Sequence, residues 1–95
     1  MDVEVRDNPE ESRYEIWRGG ELAGHTDYKQ RVNRIHFVHA EVDPKFRGEG
    51  LAERLVRGAL DDARRRHLRV VSHCPYVSKF LDDHPEYQDL TQPQV

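Results

Sequence analysis

From Val3 to Asp43 apolar residues recur at every second position in four short runs, and from Leu51 onward the period lengthens to that of a helix. Val3–Arg6 is a short strand candidate, ended by the turn residues Asp7-Asn8-Pro9-Glu10. Ser12–Arg18 puts Tyr14 and Ile16 on one side and Arg13, Glu15 and Trp17 on the other. Gly19-Gly20 then supplies the positive-φ residues of a tight hairpin. Leu22, Gly24, Thr26 and Tyr28 alternate with polar residues, so the return strand runs to about Lys29, and Arg31–Asn33 turns the chain again.

The fourth strand, Arg34–Asp43, breaks its own alternation. Ile35 and Phe37 share a face, yet Ala40 and Val42 fall on the opposite one. One extra residue near Val38 or His39 brings them back together, which is the signature of a β-bulge. Unless that bulge intervenes, His36 and His39 point to opposite faces.

Pro44–Gly50 ends the strand. Across Leu51–His67, Leu51, Leu55, Ala59 and Ala63 form one stripe and Ala52, Val56 and Leu60 the next, with charged residues elsewhere. Arg64-Arg65-Arg66-His67 occupies the last turn, where cations suit the helix dipole. Arg69–Cys74 is the next strand, stopped by Pro75. Tyr76–His84 is a short helix with Val77, Phe80, Leu81 and His84 on one side. Glu86–Leu90 is expected to be a brief extended piece, and Thr91–Val95 a frayed tail. The order β-β-β-β-α-β-α describes an α+β fold, an antiparallel meander followed by a β-α-β-α crossover unit, in one domain spanning 1–95.

Composition narrows the function. The chain has 95 residues, 18 Asp and Glu against 15 Lys and Arg, and a net charge of −3. An acidic balance argues against a nucleic-acid binder. The single cysteine excludes an internal disulfide and a multi-cysteine zinc site. The six histidines are scattered without an HExxH spacing, so no metal site is expected. No apolar run approaches the roughly 20 residues of a membrane helix. The acidic start, MDVEVRDNPEES, has no signal-peptide apolar region, so a reducing, cytoplasmic setting is expected.

The densest chemical signal is Val42-Asp43-Pro44-Lys45-Phe46-Arg47-Gly48-Glu49-Gly50-Leu51-Ala52, a strand end, a glycine-containing loop and a helix start in succession. A helix N-terminus carries unpaired N–H groups and about half a positive charge, so it attracts phosphate. Gly48 and Gly50 let an anion approach the backbone, and Arg47 adds a charged donor. No Gly-Lys-Ser/Thr follows, and the pattern is not GxGxxG, so neither the P-loop nor the dinucleotide fingerprint is present.

Arg47-x-x-Gly50-x-Ala52, in its strand–loop–helix setting, resembles the Gln/Arg-x-x-Gly-x-Gly/Ala signature of the GNAT acetyltransferases. Cys74-Pro75-Tyr76-Val77, Phe80 and His84-Pro85-Glu86-Tyr87 narrow the resemblance to the small, single-domain GNAT-like N-acetyltransferases, over roughly Arg13 to Leu90. The resemblance implies acetyl-CoA as co-substrate and an amine as acceptor; from charge and hydropathy no nucleic acid or membrane partner is expected, and a monomer or weak homodimer is expected. It implies that Val42, Arg47, Gly48, Glu49, Gly50, Leu51, Ala52 and Tyr76 hold the cofactor. It also implies that the strands Arg34–Asp43 and Arg69–Cys74 run parallel and splay apart around it.

Two residues are candidates for catalysis. Glu41, on the irregular strand just before the loop, has the place of the glutamate base of many GNAT enzymes. Cys74, beside Pro75 at a strand end, has the place of a proton donor to the leaving thiolate or of an acyl carrier. The tyrosine acid of many GNAT enzymes is missing, because Phe80 or Leu81 stands there; Tyr76 and Tyr87 are possible substitutes. His73 and Cys74 are strand neighbours and face opposite ways, so His39 is the better partner for the thiol. The tiny size and missing tyrosine also support an alternative, a non-catalytic acyl-CoA binding or sensing module.

Overall fold

In a computed structural model, which describes residues 2–91, the chain forms five strands and two α-helices. They are β1 (Val3–Asn8), β2 (Arg13–Arg18), β3 (Glu21–Gln30), β4 (Arg34–Val42), α1 (Leu51–Arg65), β5 (Arg69–Ser72) and α2 (Pro75–Asp83). The sheet order is β1-β2-β3-β4-β5. The first four strands form the expected antiparallel meander, and β5 joins β4 in parallel. Residues 92–95, most of the expected frayed tail, lie outside the described residues.

Gly19 and Gly20 both have positive φ, 57° and 80°, which a two-residue hairpin between right-twisted strands requires. Tyr14, Ile16, Thr26, Tyr28, Ile35 and Phe37 form the inner face of the sheet. Leu51, Leu55, Val56, Ala59, Leu60 and Ala63 of α1 pack on it, and Val77, Phe80 and Leu81 of α2 complete the same core. Tyr14 donates a hydrogen bond to Asp62 of α1, and Tyr28 donates to Asp7 at 2.6 Å, so both buried phenols are satisfied.

Val38 is the extra residue of the β4 bulge: Asp27 pairs with His39 and Tyr28 with Phe37, leaving Val38 without a partner. The bulge restores Ala40 and Val42 to the side of Phe37. It also brings His36 and His39 onto one face, the outer one. A second bulge breaks the expected alternation of β3. Ile16 pairs with Gly24 and Trp17 with Leu22, so Ala23 rather than Leu22 is buried.

Four boundaries differ from the sequence reading by more than one residue. Strand β1 runs on through Asp7 and Asn8, expected as turn residues, because they pair with Tyr14 and Arg13 of β2. Helix α1 stops at Arg65, because His67 adopts φ 57° and closes the helix. His67 N–H donates to Arg64 O at 3.1 Å and Leu68 N–H to Ala63 O at 2.9 Å, the paired bonds of a Schellman cap. Strand β5 ends at Ser72, and Cys74 becomes the N-cap of α2 because Pro75 suits the first helical position. The expected extended piece Glu86–Leu90 is instead a 3-10 helix, Pro85–Thr91. Its three-residue period stacks Tyr87 and Leu90 on the core, which an extended strand would send to opposite sides.

Candidate active site

The loop between β4 and α1 is shaped by short local contacts. Asp43 N–H donates to Ala23 O at 2.8 Å, so the β3 bulge anchors the start of the loop. The Asp43 side chain then accepts from Lys45 N–H at 2.9 Å and starts a 3-10 turn, Pro44–Phe46. Phe46 is buried under that turn, with the Arg18 guanidinium 5.5 Å from its ring centroid. Gly48 and Gly50 both take positive φ, 87° and 72°. A Cβ at either would meet nothing within 4 Å, so backbone conformation and not crowding demands glycine there.

Gly50 is the N-cap of α1 and offers no side chain to the first turn. The first-turn N–H groups of α1 therefore face outward at the positive end of the helix dipole. They open onto a cleft of about 260 Å³ lined by Val42, Phe46, Arg47, Gly48, Gly50, Leu51, Ala52, Glu53 and Tyr76. Glu49, expected among the cofactor residues, is turned aside into an ion pair with Arg18 and does not line the cleft. Phe46 and Glu53 line it without having been singled out in the sequence. Tyr76 is 42% exposed on the cleft wall, and its phenol is pushed up first by burial and then by the Glu53 charge.

The parallel β4–β5 ladder is short. Its last pair is Phe37 with Ser72, supplemented by His73 N–H donating to Phe37 O at 2.8 Å. Beyond the Val38 bulge no β5 residue pairs with Val38–Val42. The two strands part there, and the β5-facing edge of β4 loses its ladder. Such a parting is what frees main-chain donors next to a bulge.

Val42 faces the cleft, and Glu41 therefore faces the other side of the sheet. Its carboxylate is 61% exposed there and meets two imidazoles: His25 Nε2 lies 3.1 Å from Glu41 Oε1 and His39 Nε2 lies 3.4 Å from it. His25 is oriented in turn by Asp27, whose Oδ1 is 2.9 Å from His25 Nδ1. The chain Asp27–His25–Glu41 is invisible in linear sequence, because it needs the cross-strand pair His25–Glu41 that the β4 bulge sets. Only the placement of His25 on the strand face opposite Thr26 was readable.

Cys74 is 4% exposed and belongs to the core; it does not line the cleft. His39, on the outer face, is turned to Glu41 and makes no hydrogen bond to the thiol. Phe80 and Leu81 are core residues. Tyr87 is buried, donates to Asp61 at 2.7 Å and accepts from Arg57 at 3.4 Å, so its hydroxyl is committed to α1. Tyr76 is thus the tyrosine that lines the cleft. Among the described residues, no group of three or more His, Cys, Asp or Glu side chains is arranged to hold a metal ion.

An antiparallel meander, a parallel fifth strand that diverges from the fourth, and a glycine-rich helix start define an acyl-CoA N-acyltransferase type of fold. Residues 13–90 match the GCN5-related N-acetyl-transferase family, and the chain belongs to it. It is similar to the solution structure of a GCN5-like protein from Staphylococcus aureus, with a TM-score of 0.71 and 20% identity over 97% of this chain and 90% of that one. It also resembles the structure of the ribosomal-protein-alanine N-acetyltransferase from Brucella melitensis, with a TM-score of 0.59 and 20% identity over 86% of this chain and 62% of that one. Among curated proteins, Protein NATD1 of Bos taurus is 37% identical over 61 residues, which are 62% of this chain and 54% of that protein. The human Protein NATD1 is 33% identical over the same length. The chain thus spans about half the length of the curated relatives it matches. Among the described residues, no helix is long and apolar enough to cross a membrane.

Proposed function

We propose that the protein transfers an acetyl group from acetyl-CoA to an amine, in a direct ternary complex. The observation that carries the reading is the start of α1: unpaired amides behind two positive-φ glycines, with Arg47 free of any carboxylate partner among the described residues, opening onto a cleft beside the diverging edge of β4. These features fit the pyrophosphate of acetyl-CoA, with Arg47, Gly48, Gly50, Leu51 and Ala52 holding it and Val42 and Tyr76 flanking the acyl arm. Acetyl-CoA supplies the activated acyl group. The chain's residues supply orientation, charge stabilisation and proton movement.

Glu41 serves as the base. It lies across β4 from the cleft, so the amine approaches from the open sheet face and meets the thioester where β4 and β5 part. Glu41 draws the proton from the amine, directly or through water, and His25 and His39 carry it to solvent. Asp27 holds His25 in the tautomer that presents Nε2 to Glu41. The raised phenol of Tyr76 stays protonated at neutral pH, as a donor to the departing thiolate must. Cys74 has no task in this scheme.

The experiment is titration with acetyl-CoA, CoA and ADP, followed by thiol release in the presence of an amine panel. Saturable acetyl-CoA binding with amine-dependent CoA release supports the reading. A second reading, a non-catalytic acyl-CoA module, is favoured by the burial of Phe80 and Leu81 where a tyrosine acid is usual. Binding without thiol release for any amine selects it.

A further inference from the structure

The outer face of the sheet holds a second concavity, of about 290 Å³, lined by Lys29, Arg31, His36, Val38 and His73. It adjoins the parting of β4 and β5, since Val38 is the bulge residue at which the ladder ends.

Its charge is unusual for this chain. Acidic residues outnumber Lys and Arg by 18 to 15, so each cation has carboxylates to spare. Nine of the cations lie within ion-pair distance of a carboxylate. Among the described residues the exceptions are Arg47 and Arg54 at the start of α1, Arg69, which donates to Asp89 O at 2.8 Å, and Lys29, Arg31 and Arg34 around this cavity. Cations without carboxylate partners thus gather in two places, one of which is the proposed pyrophosphate site.

The two histidines of the cavity are coupled. His36 Nδ1 lies 3.1 Å from His73 Nε2, with ring centroids 5.3 Å apart and planes 7° apart. At that separation the rings meet edge to edge through an N–H···N bond rather than stacking face to face. The bond survives in the neutral and singly protonated pair and is lost when both rings are charged. Lys29 faces His36 from β3, Arg34 flanks it on β4, Arg31 approaches from the turn, and His73 faces it from the end of β5. Asp27, on the same face two residues before Lys29, is engaged by His25. His36 is accordingly held below the usual imidazole range, first by burial and then by His73, Arg31 and Arg34. A bound anion would reverse the effect of those neighbours.

We propose that this cavity binds an oxyanion, and that the anion is a carboxylate or phosphate group carried by the acceptor amine. The second half rests on the acetyltransferase reading; the first does not. The cavity and Glu41 share the outer face, and both adjoin the part of β4 that has left β5. An amine with an anionic group anchored beside Val38 would therefore present its nitrogen toward the gap.

The test has two arms. Imidazole nitrogen spectra are recorded during titration with sodium sulfate at constant ionic strength, with chloride as the balancing salt. Saturable shifts of His36 and His73, larger than those of His84 on the helix side of the sheet, are expected. The titration midpoint of His36 should rise with sulfate, and in Lys29→Ala/Arg31→Ala affinity should fall at least about fivefold, as for two lost surface cations. Shifts that are linear in sulfate and no larger at His36 and His73 than at His84 would show no site and overturn the proposal. So would an unchanged affinity in the double variant, provided its spectrum is folded.

In the second arm, amines are compared in pairs that differ only by a carboxylate or phosphate group. The anionic member should have the higher kcat/KM, and the preference should vanish in Lys29→Ala/Arg31→Ala while acetyl-CoA affinity is kept. Sulfate binding without any such preference would mean a site for a free anion and overturn the acceptor assignment. Absence of turnover with every amine would overturn the acetyltransferase reading and with it the acceptor assignment, while the sulfate arm still decides the site.

Discussion

Gly50→Asp separates folding from cofactor binding. Gly50 has φ 72° and ψ 20°, and an added Cβ would meet no atom within 4 Å. The cost to the fold is therefore conformational alone. For L residues the left-handed region costs roughly 1–2 kcal/mol, and Asp and Asn enter it most readily. A carboxylate beside the first turn of α1 returns about 0.3–1 kcal/mol through the helix dipole. Stability should fall by no more than about 1.7 kcal/mol, within the range that leaves a small domain folded. The cofactor has no such compensation. A carboxylate about 4 Å from a pyrophosphate repels it by roughly 1–4 kcal/mol at effective dielectrics of 80 to 20. It also competes for an N–H whose bond to a charged group contributes about 1.5–3 kcal/mol. Together these weaken binding by about 2.5–7 kcal/mol, or roughly seventyfold to 10⁵-fold.

Gly50→Asn is the control, because it shares the backbone cost without the charge and should lose far less affinity. Urea unfolding reports stability, and calorimetric titration with acetyl-CoA reports affinity. If Gly50→Asp is folded and binds acetyl-CoA within about threefold of the parent, a margin of under 1 kcal/mol, the pyrophosphate does not sit on the α1 amides.

Glu41→Gln should lower turnover by about 10²–10⁴-fold, the usual range for a lost base, with acetyl-CoA affinity unchanged; a pH–rate profile identical to the parent's would remove Glu41 from the mechanism. Cys74→Ala should keep its turnover, since the thiol is in the core, whereas Cys74→Ser should lose about 1–3 kcal/mol in urea because it buries a hydroxyl. A large loss of turnover in a stable Cys74→Ala protein would return the thiol to the chemistry. His67→Gly should raise stability by roughly 0.5–1 kcal/mol, because glycine takes the left-handed cap position freely; a lower melting temperature would contradict the cap. Asp62 is depressed: burial opposes its charge, but the Tyr14 hydroxyl, Arg65 and Arg66 outweigh burial. Its stabilisation is therefore complete above the unfolded value, about 3.9, and is lost as the pH falls below it, so Asp62→Asn should flatten the acid limb of the stability curve.

The fold was legible because its elements differ in period. Gly19-Gly20, the stripe from Leu51 to Ala63 and the two prolines after β5 and α2 each mark a boundary that local chemistry enforces. The β4 bulge was legible as well, since Ile35 and Phe37 could join Ala40 and Val42 only through an extra residue. The β3 bulge was not. Leu22 and Ala23 are both apolar, so the alternation reads smoothly whichever is buried, and only the pairing with β2 decides. The end of α1 was misread for a related reason: His67 extends a run of basic residues that suits a helix C-terminus, and nothing in its side chain announces a left-handed backbone. In the cleft, the loop was visible as a contiguous motif. Glu49 was assigned to the cofactor by its place in that motif, but Arg18 of β2, far away in sequence, draws it aside. The histidines around Glu41 were unreadable, since each contact crosses from β3 to β4.

The division of labour between the two sheet faces follows from the chain's size. Ninety-five residues support one core, and α1, α2 and the 3-10 helix Pro85–Thr91 all contribute to the same side. Among the described residues no helix covers the other face, so its strands must carry polar side chains: Glu15, His25, Asp27, His39 and Glu41 stand where a thicker fold would place leucines. A polar open face is a stability requirement before it is an active site. In the proposed mechanism, two local breaks in β4 pairing give it chemical use. The bulge at Val38 shifts the register so that His25, His39 and Glu41 meet, and the end of the β5 ladder at Ser72 opens a passage from that face toward the glycine loop. Deleting Val38 would remove only the extra residue, so Phe37 and His39 would become ordinary strand neighbours and Ala40, Glu41 and Val42 would keep their facing; inserting one residue between His39 and Ala40 would instead reverse it while leaving every proposed catalytic residue in the chain. The insertion should then abolish turnover, and with it the contact between Glu41 and His25. Retention of both in a folded insertion protein would show that the face is not organised by the register of β4.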